Sequence, residues 1–83
     1  MSFSIDWDEK ALSFLKKLPK DISKRIFNKI DSIKDNPFRY LDNFEGKYHK
    51  LRIGDYRALI DVDTENKILL VQVLDKRGRV YKR

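Results

Sequence analysis

Eighty-three residues with a formal charge of +6 allow one domain, residues 1–83, around one modest hydrophobic core. There is no cysteine and the one histidine is His49, which excludes a disulfide framework and a structural zinc site built from Cys and His. No run approaches the roughly 20 apolar residues of a membrane span, and the opening MSFSIDWDEK has no signal-peptide pattern. The expectation is a soluble, cytoplasmic chain with no membrane contact, no metal and no cofactor.

In chain order, Phe3, Ile5 and Trp7 alternate with Ser4 and Asp6, which predicts a short strand with one buried face. Asp6 or Asp8 can cap the helix that follows, and Asp6 with Glu9 has capping-box spacing. In that helix Ala11, Phe14, Leu15 and Leu18 form a single apolar stripe. Pro19 suits the first turn of a second helix, where its missing N–H costs nothing. Ile22, Ile26, Ile30 and Ile33 then line one face with Phe27 beside them, and Asn36-Pro37 ends the helix. Two helices so closely joined predict an antiparallel helical hairpin. Residues 38–47 show no period and read as an irregular connection.

From Tyr48 the pattern turns to strands. Residues 48–53 alternate, with Tyr48, Lys50 and Arg52 on one face and His49, Leu51 and Ile53 on the other. Gly54-Asp55 fits a two-residue type II′ turn, with glycine supplying the positive φ. Residues 56–62 form the next strand, 63–66 a second turn, and 67–74 the most apolar strand, before the basic ending DKRGRVYKR. The order of strand, two helices and three strands predicts an α+β fold. In it an N-terminal strand and a two-helix hairpin pack on a mainly antiparallel sheet, leaving the opposite sheet face open.

Charge is unevenly spread. Residues 1–46 carry nine Lys or Arg against eight Asp or Glu, whereas residues 47–83 carry ten against five. A basic second half fits a polyanion-binding face, because attraction to phosphate is long-ranged and needs little geometry. Lys50 and Arg52 project from one strand face, Arg57 lies just across the turn, Arg77 follows the last strand, and Tyr81 adds a flat ring. That composition suits single-stranded nucleic acid. Each residue also has a purely structural reading. Lys50 and Arg52 discourage edge-to-edge pairing, Arg57 pairs with Asp55 or Asp61, and Arg77 and Tyr81 belong to a frayed tail. His49 reads as a core or edge residue, and Tyr48 and Tyr56 as sheet packing.

The segments WDEKALSFLKKLPKDISKRIFNKI, KLRIGDYRALI and LLVQVLDKRGRVY, in this order over nearly the whole chain, resemble the RelE/ParE superfamily of toxins. The most specific pieces are LRIGDYR and the DKRGRVY ending. The resemblance implies the single-domain microbial ribonuclease-like (RelE) fold and a toxin of a type II toxin–antitoxin system. For the RelE branch it implies a ribosome-dependent endoribonuclease that cuts messenger RNA in the A site, inhibits translation and works without metal. The implied partners are the ribosome, mRNA and a cognate RelB-like antitoxin.

The implied catalytic residues are Lys50 and Arg52, matching the paired basic residues of the family's second strand, with Arg57 of its "YR" motif, Arg77 and Tyr81. The residue types suit the chemistry. The 2′-OH must lose a proton, a task for Lys50, as it attacks the adjacent phosphorus. Arg52, Arg57 and Arg77 offer fixed forks of donors to the developing charge, and Tyr81 stacks on or orients a base. Two other functions fit the same sequence: a ParE-like DNA gyrase inhibitor, and a non-catalytic RNA-binding module.

Overall fold

The computed structural model describes residues 2–46 and 48–76, apart from the side chain of Glu45. In chain order these form β1 (Ser4–Trp7), α1 (Glu9–Lys16), α2 (Lys20–Ser32), a 3-10 turn (Pro37–Arg39), β2 (Asp42–Glu45), β3 (Tyr48–Ile53), β4 (Tyr56–Asp63) and β5 (Ile68–Lys76). The strands make one sheet in the order β1-β5-β4-β3-β2, antiparallel except for the β1–β5 pair, which is parallel. The expected α+β architecture on a mainly antiparallel sheet is therefore what forms. No helix among the described residues is long and apolar enough to cross a membrane.

The helices begin where local chemistry starts them. Asp8, not Asp6, caps α1: its carboxylate accepts from the Lys10 amide at 3.0 Å, while Asp6 stays in β1. The expected Asp6–Glu9 box does not form because Asp6 is committed to the sheet, in register with Leu70. Pro19 precedes α2 as its N-cap, and its carbonyl accepts from the Ile22 and Ser23 amides. Both helices bury one stripe: Ala11 and Leu15 from α1, Ile26 and Ile30 from α2, and then Ile33. Beneath them the sheet contributes Leu51, Ile53, Ala58, Ile60, Leu69, Val71 and Leu74. Phe27 departs from expectation. It is 49% exposed and stacks on Trp7, with ring centres 6.4 Å apart, at the flank of α2 rather than in its buried stripe.

Two irregularities adjust the sheet. On β5, Leu59 pairs with Val73 but Ile60 with Val71, so Gln72 is an extra residue. The bulge shifts the alternation, so the buried set runs Leu69, Val71 and then Leu74. The second irregularity lies in the stretch read as an unpatterned connection. There Asp42–Glu45 forms an edge strand, with Asp42 opposite Lys50, Asn43 opposite His49, and Glu45 opposite Tyr48. Phe44 is the bulged residue between them, which is why no period of two shows in the sequence.

Gly54 has φ +59 and pairs Ile53 with Tyr56 across the expected two-residue turn. The second turn is as long as expected but lies one residue further on, at 64–67. Lys67 has φ +58 and belongs to the turn rather than to β5. The Asp63 carboxylate closes that turn by accepting from the Asn66 amide at 3.1 Å and from Asn66 Nδ2 at 2.9 Å. These two bonds hold the Asp63 carboxyl below the ordinary aspartate range.

Candidate nucleic-acid interface

The helix-covered face of the sheet carries Leu51, Ile53, Ala58 and Ile60, all buried. Alternation sends their neighbours the other way. Tyr48, Lys50 and Arg52 of β3 therefore share the helix-free face with their cross-strand partners Asp61, Leu59 and Arg57 of β4. Arg52 is exposed and Lys50 half-buried. Tyr56 points to the helices and meets Phe14 edge-on at 6.2 Å, a packing role. His49 also lies on the helix side, against Phe38 at 5.6 Å, with its Nδ1 buried and without a hydrogen-bond partner among the described residues.

Arg57 shares the basic face by register but not by exposure. It is only 5% exposed, with Nε and Nη1 buried. Its cross-strand neighbours are Arg52 on β3 and Asp75 on β5. A buried guanidinium needs compensating groups because leaving water is costly for a charge, and Asp75 provides a carboxylate one strand away. On its other side two arginines stand directly opposite, an arrangement that costs stability in a sheet. Asp42 opposite Lys50, Asp61 opposite Tyr48 and Asp75 opposite Arg57 set carboxylates among these cations, and Arg52 is the one that stands against another cation.

Phe44 borders this surface and Arg25 lies at the β3–β4 turn, and neither was singled out in the sequence. Phe44, at the β2 bulge, has the Lys50 ammonium over its ring at 5.9 Å from the centre. Arg25 reaches from α2 to the β3–β4 turn, where its Nη1 lies 3.5 Å from the position a Cβ on Gly54 would take. Helical period places Arg25 on the polar side of α2 but says nothing of a turn some thirty residues on. Arg77 and Tyr81, the remaining sequence-predicted site residues, lie outside the described residues.

A family profile described as the ParE toxin of type II toxin–antitoxin systems, parDE, matches residues 5–81. The chain belongs to this family. The RelE/ParE resemblance of the sequence is borne out, and the architecture agrees with it. The RelE–RelB complex of Pyrococcus horikoshii superposes with a TM-score of 0.82 at 24% identity, covering 95% of this chain and 99% of that one. A RelBE toxin–antitoxin complex of Mycobacterium tuberculosis gives 0.83 at 21% identity, covering 93% and 100%. The isolated RelE toxin of Escherichia coli gives 0.78 at 21%, covering 94% and 87%. At these identities the structures establish a shared fold, the RelE fold. No curated protein sequence matches the chain. The toxin family is thus named by the sequence match and the fold by RelE structures.

Proposed function

We propose that this toxin-family chain is a ribosome-dependent endoribonuclease that binds messenger RNA on the helix-free sheet face and cuts it in the A site. The observation that carries the reading is the basic pair Lys50 and Arg52 on that face, with a second arginine, Arg57, directly opposite Arg52. Like charges set in register gain stability when an anion lies over them, and a phosphodiester is such an anion. In this reading the amine form of Lys50 takes the proton of the 2′-OH as its oxygen bonds to phosphorus. The bond from phosphorus to the 5′-oxygen then breaks, and that oxygen leaves with a proton from solvent. Arg52 and Arg77 hold the charge that builds on the phosphoryl oxygens. Arg57 adds a positive charge whose position is fixed by burial, and Tyr81 stacks on a base to align the phosphate. A RelB-like antitoxin is the inferred regulator, as RelB accompanies the P. horikoshii RelE.

The family match carries the ParE name, which favours one other reading: a gyrase inhibitor on the same fold. One experiment separates the two. Purified protein is added to cell-free translation, message 5′ ends are mapped by primer extension, and DNA gyrase supercoiling is assayed in parallel. Ribonuclease activity predicts cuts at A-site codons that disappear in Arg52→Ala and Arg77→Ala, with supercoiling untouched. An intact message with blocked supercoiling would overturn the reading in favour of gyrase.

A further inference from the structure

Phe44 is half-buried, and its place in the sheet is set by a bulge. Asp42 pairs with Lys50 and Glu45 with Tyr48, so β2 fits four residues where β3 has three. Bulges at sheet edges commonly re-aim a side chain. Here alternation breaks at the bulge, and contact with Lys50 puts Phe44 on the side on which Asp42 and Lys50 face each other. The Lys50 ammonium lies 5.9 Å from the ring centre. Across the helix-free face lie Asp42 and the aromatic ring on β2, Tyr48, Lys50 and Arg52 on β3, and Asp61, Leu59 and Arg57 on β4.

A flat ring beside a row of cations is what a single strand of nucleic acid uses. Its phosphates follow the charges, and a base stacks on the ring regardless of sequence. A ring and an ammonium already in contact also hold each other in place, which lowers the ordering cost of binding. We infer that Phe44 is a base-stacking residue of the RNA site, placing a nucleobase beside the phosphate that Lys50 and Arg52 engage. The inference rests on the RNA reading of this face and deepens it. It assigns Phe44 positioning rather than proton transfer, because a phenyl ring has no proton to exchange.

The test compares a short single-stranded RNA with a sugar-phosphate strand of equal length lacking bases, using fluorescence anisotropy at fixed salt. The proteins are wild type, Phe44→Ala and Phe44→Trp, each checked for native circular dichroism. Stacking predicts that Phe44→Ala weakens RNA binding by about five- to 150-fold, while binding of the abasic strand stays unchanged. Phe44→Trp should keep wild-type affinity and show indole quenching by the RNA but not by the abasic strand. Equal losses on both strands, or none on either, would leave Phe44 a packing residue and overturn the inference alone. A wild type that binds neither strand would overturn the inference, which requires the face to hold RNA by itself, while A-site cuts in the translation assay would still uphold the ribonuclease reading. Should Phe44→Ala not fold, the quenching of Phe44→Trp decides the matter.

Discussion

Arg52 faces Arg57 across the β3–β4 ladder, so neutralising Arg52 should make the protein more stable. Directly opposed Cβ atoms stand about 5 Å apart, and two long side chains let the charges separate to roughly 7 Å. At that distance the repulsion is about 0.6 kcal/mol in water's dielectric and a little over ~2 kcal/mol at an effective value of ~20. Arg52 is exposed, so the lower figure governs, and Asp75 on the far side of Arg57 offsets part of it. The expected gain for Arg52→Gln is therefore about 0.5 kcal/mol, or roughly 2–4 °C in Tm for a domain of this size. Thermal melts followed by circular dichroism at ~20 mM and ~1 M NaCl measure it, since the Debye length falls to about 3 Å at the higher salt and should erase most of the gain. The same variant should lose RNA cleavage, which would make the arginine pair a cost in stability retained for function. A lowered Tm, or an increase that is the same at both salts, would refute the electrostatic reasoning.

Other consequences follow from the fold. Gly54→Ala should destabilise by about 1 kcal/mol, measured by urea denaturation. The cause is the positive φ of +59, since the new Cβ would meet Arg25 Nη1 at an ordinary 3.5 Å. Ile30 is fully buried between α2 and the sheet, so Ile30→Ala should cost about 2–5 kcal/mol. In so small a domain that is a large share of total stability, and the urea midpoint should collapse accordingly. Asp63 makes a pH prediction. Its folded-state pKa lies below the unfolded value, so its stabilisation is present above the ordinary carboxylate range and disappears as pH falls through the folded value. Asp63→Ala should lower the urea midpoint at neutral pH and leave a shallower decline in acid.

The apolar stripes of α1 and α2, the β3–β4 hairpin with its Gly54 turn, and the single core were legible in the sequence because each depends on neighbours a few residues apart. Side-chain period and glycine's tolerance of positive φ act locally, so the chain states them directly. The shared face of Lys50 and Arg52 was legible for the same reason, being a spacing of two on one strand. The bulges at Phe44 and Gln72 were not, because an inserted residue erases the alternation that would reveal the strand. Nor was the position of β1, which runs parallel to β5 at the sheet edge, since the partner lies more than sixty residues away.

Arg57 shows the division most clearly. Register alone assigns it to the basic face beside Arg52. Only the assembled sheet, with Asp75 brought opposite on β5, makes it a buried charge rather than an exposed one. The sequence by itself determined both helices, the strands β1, β3, β4 and β5, and the face of β3 that collects the cations, because those are properties of backbone period. Tertiary structure decided which cations reach solvent and which ring lies beside them, because burial depends on side chains brought together from distant strands.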